Sequence, residues 1–331
     1  MAYEIINGKI KTEVCTISVA HHCNISCRSC THLSPRAKKV LVDPGSVLRD
    51  LSALARYYHP KRVSLLGGEP LLHPGLLDVV DAVRQSAVSE QIRVVTNGTL
   101  LGRMPERFWQ AVDEVYISLY PDSAVGIEDL RSYSRQAREH GVSLEVRYLN
   151  NFCETYSELG TADERLIGRI FATCRVVKLW HCHSHCDGHL YRCPQSAFIP
   201  RYLLGKSGSE AATDGFEVSD AEDSRDKLME FLTSERPLHS CRYCLGSVGK
   251  RFVHEQEPHG LERCPRTTEE LVDWHYLERL ERSPTLDITP WLVRSCELAK
   301  RALALMPPAV RLHPVVRWGA TAVRNMHRAL H

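Results

Sequence analysis

Short β-branched segments alternate with amphipathic segments through the first half of this 331-residue chain. In residues 47–58, for example, Leu48, Leu51 and Leu54 recur at helical spacing on one face. The β-branched segments are short, and glycine or polar residues follow them. Gly141 marks the end of one helical pattern. The pattern predicts strands over residues 14–20, 62–66, 91–95, 115–119 and 142–148, and helices over 47–58, 76–86, 105–112 and 127–140.

Alternation of this kind predicts an α/β fold, with a parallel sheet joined by crossover helices. Glycine or polar residues follow the predicted strands, among them Gly67 and Gly68 after the second strand and Asn97 after the third. Active-site groups of such folds collect at the carboxyl ends of the strands. We therefore expect the chemistry of this protein at that edge of the sheet.

The overall charge of the chain does not favour a highly charged partner such as a nucleic acid or a membrane surface. The formal net charge is +2 and 25% of the residues are charged. A net charge this small produces no strong electrostatic attraction to a nucleic acid or a membrane, and we expect neither as partner. The first residues contain no long apolar run, and no stretch has the apolar length of a membrane span, so we expect a cytoplasmic protein. The length is sufficient for an enzyme of two domains with an extension.

Thirteen cysteines are many for a chain of this size. A large chain without an export signal is expected to keep its thiols reduced, and thiols that hold metal are then more plausible than disulfides. Four cysteines stand apart and are interpreted as ordinary thiols: Cys15, Cys153, Cys264 and Cys296. The others are grouped along the chain as Cys23, Cys27 and Cys30, then Cys174, Cys182, Cys186 and Cys193, then Cys241 and Cys244.

The first group has the spacing C-x3-C-x2-C, at Cys23, Cys27 and Cys30, and the run Gly67-Gly68-Glu69-Pro70 follows it. A cubane four-iron cluster takes up to four thiolates, so three thiolates leave one iron open to another ligand. A structural zinc site is the alternative, but zinc prefers closely spaced pairs of ligands. The triplet therefore favours an iron–sulfur cluster with an open iron.

The triplet and the GGEP run resemble those of the radical S-adenosylmethionine (SAM) superfamily. Its members bind SAM on the open iron of a [4Fe–4S] cluster and cleave it reductively to a 5'-deoxyadenosyl radical, which takes a hydrogen atom from the substrate. The resemblance implies a partial (β/α)6 TIM barrel over residues 10–170 and a flavodoxin- or ferredoxin-type reductant as partner. Ser29 departs from the family pattern, which usually has an aromatic residue before the third cysteine.

The resemblance also implies roles for residues at the strand ends. Gly67, Gly68 and Glu69 match the segment that holds the amino group of SAM. Asn97 and Ser118 stand where the family contacts the ribose. Arg147 stands where some members hold the carboxylate, a task that suits a bidentate guanidinium.

The second group of cysteines resembles the C-x(9–15)-G-x4-C signature of twitch and SPASM auxiliary-cluster domains, through Cys174, Gly188 and Cys193. The pair Cys241 and Cys244 follows, and the absence of a further cysteine set favours the shorter twitch form. The resemblance implies a second [4Fe–4S] cluster on Cys174, Cys193, Cys241 and Cys244. A zinc ribbon on the same thiols, or a mixed site using His181, His183 or His185, is the alternative. Independently, Asp187-Gly188 predicts a hairpin turn.

The domains expected from these motifs are the radical SAM barrel over residues 1–170, the twitch domain over 171–262 and a helical extension over 263–331. Within the extension, apolar patterns predict helices over residues 267–280 and 290–305, and a basic amphipathic helix over 311–330. The default expectation is that this last helix docks on its own protein.

Twitch domains in chains of this size resemble the tailoring enzymes of aminoglycoside antibiotics. The resemblance implies removal of a carbinol hydrogen from an aminosugar or aminocyclitol, followed by epimerisation, oxidation to a ketone or loss of water. Cys182 and, second, Cys186 are left without a ligand role, and a thiol in the domain over the barrel mouth could return hydrogen to the substrate. That favours an epimerase. A buried thiol and an alternative metal ligand are the competing roles for these two residues, and a non-catalytic zinc-binding interaction protein is the remote alternative for the chain.

Overall fold

The computed structural model describes residues 3–258 and 264–283. Its strands are β1 (Glu4–Ile6), β2 (Lys9–Ala20), β3 (Tyr58–Gly67), β4 (Gln91–Thr96), β5 (Glu114–Leu119), β6 (Ser143–Tyr148), β7 (Asn151–Cys153), β8 (Cys182–Cys186), β9 (His189–Tyr191), β10 (Gly215–Glu217) and β11 (Arg251–Val253). Its α-helices are α1 (Pro44–Leu54), α2 (Leu76–Ser86), α3 (Glu106–Ala111), α4 (Ile127–Glu139), α5 (Glu164–Ala172), α6 (Arg175–Lys178), α7 (Pro194–Phe198), α8 (Gly208–Ala211), α9 (Ser224–Thr233), α10 (Thr268–Leu271) and α11 (Trp274–Arg282).

One large sheet runs in the order β10-β9-β8-β2-β3-β4-β5-β6, with β1 beside β2. The neighbours from β8 through β2, β3, β4 and β5 to β6 are all parallel. The predicted α/β fold with a partial barrel is therefore confirmed. The sixth parallel strand, β8, comes from residues 182–186, beyond the range expected for the barrel.

The predicted strands are all present, but α1 differs from its prediction. The helix begins at Pro44 because Asp43 caps it, with Oδ2 accepting a hydrogen bond from the backbone N of Ser46 at 2.7 Å. It ends at Leu54, and Tyr58 already pairs with Ile10 in the sheet. The predicted end at residue 58 was wrong because sheet pairing overrides a helical apolar pattern at this point.

The core lies between the sheet and its covering helices. Leu51 and Leu54 of α1 and Val79 and Val83 of α2 are fully buried, and Phe108 of α3 is fully buried as well. The strands contribute Cys15, Ile17, Val63, Leu65, Ile92, Val94, Val115 and Ile117 to the same core. Burial of a large apolar side chain stabilises the folded state by roughly 1.5–3 kcal/mol. The apolar face of each strand is therefore held against the helices, and the other face points away from them.

The sheet curls into a partial barrel. Arg93 of β4 forms an ion pair with Glu114 of β5, with 3.1 Å between Nε and Oε2, and its charge also acts on the thiol of Cys182 in β8. Two strands, β2 and β3, separate β8 from β4 in the sheet. The side chains of β4 and β8 can approach one another only across the concave face of a curled sheet. Arg93, Glu114 and Cys182 therefore face the barrel interior.

The predicted hairpin at Asp187-Gly188 is confirmed. β8 and β9 pair antiparallel around this two-residue turn, with φ of 48° at Asp187 and 73° at Gly188. Positive φ at both positions is the geometry of a type I′ hairpin turn.

The end of the described chain differs from its prediction. Residues 267–280 form two helices, α10 and α11, because Val272 pairs with Gly249 and the backbone N of Asp273 donates to the carbonyl O of Val248 at 2.8 Å. Up to Trp274 the described residues pack as one compact unit, and α11 continues into a separate one. The expected domain boundary at residue 170 stays a prediction. The predicted helices over 290–305 and 311–330 lie outside the described residues. In residues 3–258 and 264–283, no helix is both long and apolar enough to cross a bilayer.

Candidate active site and auxiliary thiol site

The three-cysteine loop leaves the carboxyl end of β2 at Ala20 and carries Cys23, Cys27 and Cys30. All three are free thiols, and the charge of Cys30 acts on both Cys23 and Cys27, while that of Cys23 acts on Cys27. Burial, reinforced by the other thiols, raises the pKa of Cys23 to about 12 and that of Cys27 as well. Three thiols on one loop, of which Cys23 and Cys27 ionise with such difficulty, fit a cationic metal centre, because a bound metal ion deprotonates the thiols that coordinate it.

The GGEP turn packs directly against the backbone of this loop. The backbone N of Gly68 donates to Ala20 O at 2.7 Å and that of Glu69 donates to His22 O at 3.1 Å. A Cβ on Gly67, where φ is 146°, would lie 2.1 Å from Ala20 O, and a Cβ on Gly68 would lie 2.1 Å from His22 O. Both glycines are therefore required by the approach of two backbone segments.

Glu69 joins the turn to the end of β4. Its side chain is fully buried, and it accepts hydrogen bonds from Asn97 N at 2.8 Å, Thr96 Oγ1 at 2.6 Å and Leu71 N at 3.1 Å. Burial raises the pKa of Glu69 to about 7, although these hydrogen bonds oppose the rise. The residue therefore fixes two strand ends relative to each other.

Asn97 lies beside the three-cysteine loop, and Ser118 is linked to it through Tyr120. Asn97 Nδ2 donates to Asn24 Oδ1 at 2.8 Å and lies 3.8 Å from Cys23 Sγ. Ser118 is buried at the end of β5 and hydrogen-bonds to Tyr120. Burial and then the charge of Cys27 raise the pKa of Tyr120. The structure thus brings Asn97, Ser118 and the thiols to one edge of the sheet.

Arg147 pairs in register with Ser118, but its guanidinium is half exposed and bonds to Glu145, with 2.8 Å between Nε and Oε1. Glu145 precedes it by two residues on the same face of β6. The pair therefore extends towards the amino end of the strand rather than towards the thiols.

Two later segments clamp the other side of the three-cysteine loop, and no local sequence pattern predicts them. The buried carboxylate of Glu154 accepts hydrogen bonds from Ser29 Oγ and Arg28 Nη2. The backbone N of Arg28 donates to Glu255 O at 3.0 Å, and that of Glu257 donates to Ser26 O at 2.9 Å. Ser29, which replaces the aromatic residue usual in the radical SAM pattern, thus serves to anchor the loop.

His254 also belongs to this clamp. Its Nε2 lies 3.1 Å from Cys27 Sγ. The ring stacks on Tyr120 with 4.6 Å between centroids and meets the edge of Phe152 at 4.7 Å. A contact over such a sequence separation leaves no mark in a local pattern.

The four cysteines of the expected auxiliary site converge on one cavity. Cys174, Cys193, Cys241 and Cys244 line it together with apolar Ile170, Phe171, Val177 and Leu238. Burial and then Cys174 raise the pKa of Cys193 to about 12, and burial and then Cys193 raise that of Cys244 further. Four mutually close thiols in an apolar cavity fit a fully ligated iron–sulfur cluster.

The histidines of the mixed-site alternative have other partners. His183 lies between Tyr3 Oη and Tyr58 Oη, at 2.9 Å from each, and His185 pairs with Asp50 at 3.1 Å. His181 lies 3.2 Å from Tyr3 Oη. Among the described residues, no group of three or more His, Cys, Asp or Glu side chains is arranged to hold a single metal ion.

Cys182 and Cys186 occupy opposite ends of β8. Cys182 pairs with Val14 at the amino end, and burial raises its pKa to about 11. Cys186 is 5% exposed at the carboxyl end and packs in one cluster with Leu33 of the three-cysteine loop segment and with Cys244. Four residues of strand separate the two by roughly 13 Å. Cys186 therefore lies at the edge of the sheet where the barrel mouth is expected, and Cys182 does not, because β8 is a strand of the barrel itself.

Charged side chains on the concave face form a floor below the strand ends. Arg62 Nη1 and Arg93 Nε lie 2.8 and 3.1 Å from Glu114 Oε2, and the Glu145–Arg147 pair adjoins them. We call these five residues the barrel floor. Of these five residues only Arg147 had a predicted role, although charged residues within the predicted strands are a signal for Arg62, Arg93 and Glu145.

Known proteins resemble parts of this chain. Residues 17–123 match the model of the Radical SAM superfamily. A GTP 3',8-cyclase of Heliobacterium modesticaldum is 37% identical over 109 residues, which are 31% of this chain and 32% of that protein. One of Microcystis aeruginosa is 30% identical over 129 residues, 36% of this chain and 39% of that protein. The chain therefore spans about a third of the length of these curated relatives.

Among solved structures, the crystal structure of BtrN in complex with AdoMet and 2-DOIA overlaps 71% of this chain and 94% of that one, at 15% identity and a TM-score of 0.40. The matching segment 17–123 begins in β2, carries all three loop cysteines and the GGEP turn, and includes the ends of β3, β4 and β5. This segment therefore resembles the radical SAM superfamily, and the resemblance supports a [4Fe–4S] cluster and SAM as cofactors.

Proposed function

We propose that this protein is a radical SAM enzyme that removes a carbinol hydrogen from an aminosugar or aminocyclitol and returns a hydrogen from Cys186, so that the carbon is epimerised. When bound, the cluster on Cys23, Cys27 and Cys30 together with SAM would supply the 5'-deoxyadenosyl radical. The observation that carries the proposal is the position of Cys186, which packs in one cluster with Leu33 of the loop segment and Cys244 of the auxiliary thiols.

Cys186 is suited to donate a hydrogen atom because burial raises its pKa to about 12, so the thiol keeps its proton at neutral pH. Donation breaks the S–H bond homolytically and forms a C–H bond on the substrate radical. The sulfur must then regain one electron and one proton. We assign the electron to a flavodoxin- or ferredoxin-type reductant and the proton to water. The four auxiliary thiols would hold a second [4Fe–4S] cluster, which supplies one-electron chemistry beside Cys186.

The barrel floor supports a polar, amine-bearing substrate. The carboxylates of Glu114 and Glu145 can accept hydrogen bonds from ammonium and hydroxyl groups, and charge-assisted bonds of this kind are the strong ones. Arg62 and Arg93 hold Glu114 in place at 2.8 and 3.1 Å. An aminosugar entering from the mouth would meet these groups below the thiols. A reducing cytoplasm suits both the thiols and the reductant.

Two other outcomes share this substrate class. If Cys186 does not deliver hydrogen, the substrate radical would pass one electron to the auxiliary [4Fe–4S] cluster and its hydroxyl proton to water, and would become a ketone, which is a dehydrogenase reaction. A diol radical can instead lose water. Neither changes the residues that we assign to the cofactors.

A second candidate is a nucleotide substrate. The relatives named GTP 3',8-cyclase match about a third of this chain. Three arginines of the barrel floor, Arg62, Arg93 and Arg147, exceed its two carboxylates, and guanidinium groups bind phosphate in a bidentate manner. A purine nucleoside triphosphate is therefore included in the test.

The test is anaerobic reconstitution followed by turnover. We expect about eight irons per chain, and formation of 5'-deoxyadenosine when SAM, reductant and a candidate pseudodisaccharide are supplied. An epimerised product made in D2O should carry one solvent deuterium at the reacting carbon, since S–H exchanges with water. Turnover of GTP alone would favour the second candidate. Absence of 5'-deoxyadenosine with every substrate would refute both, and zinc in place of iron would instead support a binding module.

A further inference from the structure

A side chain far from the cysteine motif in sequence contacts one of its thiols. His254, which follows β11, places Nε2 3.1 Å from Cys27 Sγ. The amide of Asn97 also approaches a thiol of the loop, but at 3.8 Å from Cys23 Sγ. Of these two contacts to the loop sulfurs, that of His254 is the shorter, and it comes from a segment that no motif identifies.

The imidazole is held in a fixed orientation. It stacks on Tyr120 with an interplanar angle of 16° and meets the edge of Phe152. The backbone N of His254 donates to Asn150 O at 2.9 Å, and Phe252 pairs with Phe152 between β11 and β7. His254 is only 4% exposed. Packing and backbone pairing thus fix the orientation of the His254 ring without help from a cofactor.

The direction of the hydrogen bond follows from the chemistry of the sulfur. A cysteine that coordinates iron is a thiolate and carries no hydrogen, so Nε2 must donate to it. The other ring nitrogen, Nδ1, is buried and has no hydrogen-bond partner among the described residues. A buried polar atom without a partner costs free energy, and an apolar ring would fill the same stack without that cost. The contact with Cys27 is therefore the one polar role that the described surroundings give this side chain.

We infer that His254 is a positioning residue for the cluster on the three-cysteine loop, and that its N–H donates to the Cys27 thiolate and raises the reduction potential of that cluster. The inference rests on the proposed function, which places a [4Fe–4S] cluster on Cys23, Cys27 and Cys30. Hydrogen bonds to cluster sulfurs set the potential, because they stabilise the more negative, reduced form more than the oxidised one.

The test is a potentiometric titration of the reconstituted holoenzyme, followed by electron paramagnetic resonance. His254→Phe keeps an aromatic ring in the stack and removes the donor, whereas His254→Gln keeps an N–H donor. At a fixed potential near the wild-type midpoint we expect the ratio of reduced to oxidised cluster to fall about tenfold in His254→Phe, equivalent to 59 mV for one electron. His254→Gln should lie between the two. His140→Phe, which replaces a remote histidine, should titrate like the wild type.

A second measurement needs no variant. In wild-type holoenzyme with 15N-labelled histidine, the reduced cluster should show hyperfine coupling to one imidazole nitrogen and to one proton that exchanges in D2O. This measurement decides the matter if His254→Phe fails to fold or to bind iron. No such coupling, or a wild-type potential in His254→Phe, would overturn the role of His254.

Failure of the proposed function is distinguishable from failure of this inference. If the wild-type protein forms no cluster whose spectrum changes when SAM is added, the proposed function itself fails. If that cluster forms and responds to SAM while the His254 variants keep its potential, only the inference fails. The signal of the auxiliary cluster should be the same in all variants.

Discussion

The α-carbon of Gly68 lies so close to His22 that a Cβ there would sit 2.1 Å from the His22 carbonyl oxygen and 2.7 Å from the backbone N of Cys23. Both obstructing atoms belong to the backbone and cannot rotate away. The shape of the three-cysteine loop therefore depends on a missing side chain in a different strand–turn segment.

Gly68→Ala should displace the loop and reduce iron bound at Cys23, Cys27 and Cys30 to less than half, with a loss of stability on the order of 1–3 kcal/mol. Iron analysis and thermal unfolding measure both effects. Gly168→Ala is the matched control, because a Cβ there meets nothing within 4 Å, and it lies inside α5. There alanine should stabilise by about 0.5–1 kcal/mol. Full iron content in Gly68→Ala would contradict the prediction.

Because of Glu69, the free energy of unfolding of the metal-free protein should decrease as the pH rises from about 4.5 to about 7. Its pKa is raised from 4.5 to about 7 by burial, so the folded state holds the proton more tightly than the unfolded state. The stabilising contribution is complete below pH 4.5 and is lost as the pH rises through 7. The loss amounts to about 3 kcal/mol. Urea unfolding of wild type and Glu69→Gln across this range measures it, and parallel curves for the two proteins would refute it.

Cys244→Ser should remove the auxiliary cluster and leave about four irons per chain in place of about eight. Cys244 lines the cavity shared by the four auxiliary thiols. Cys153→Ser is the control, because Cys153 lies in β7 and outside that cavity, and should keep the full iron content. Equal iron in both variants would show that Cys244 holds none.

Cys186→Ala should abolish the epimer and divert the substrate radical to a ketone, whereas Cys182→Ala should leave the product unchanged. The reason is position: Cys186 lies at the carboxyl end of β8 with Leu33, and Cys182 at the amino end opposite Val14. Product analysis by mass spectrometry separates the outcomes. Loss of the epimer in Cys182→Ala alone would transfer the donor role to that thiol.

Local patterns were sufficient for much of the fold. β-branched runs located the five strands from β2 to β6, and Asp187-Gly188 located the hairpin, because both depend on residues adjacent in sequence. The end of α1 could not be located in this way, since the pairing of Tyr58 with Ile10 decides it. The entry of β8 into the barrel beside β2 likewise depends on partners more than 160 residues away.

In the candidate site, too, residues in contiguous motifs could be predicted and residues brought in by distant segments could not. Cysteine spacing and the GGEP run identified thiols and a turn that the structure brings together, because these motifs are contiguous. Glu154 and His254 were missed because they reach Ser29 and Cys27 across 125 and 227 residues. A carboxylate or an imidazole in an unremarkable segment carries no local signature of a contact made at such a separation.

The hydrogen bonds from Ser26 to Gln256 and Glu257 also set an order of events during biosynthesis, because their partners are about 230 residues apart. The amino-terminal thiols leave the ribosome long before the segment that buttresses them has been translated. Contacts between residues so far apart in sequence form late in folding. Delivery of iron and sulfide to this loop therefore belongs to the finished polypeptide, and a nascent chain truncated before residue 250 would expose three unsupported thiols to oxidation.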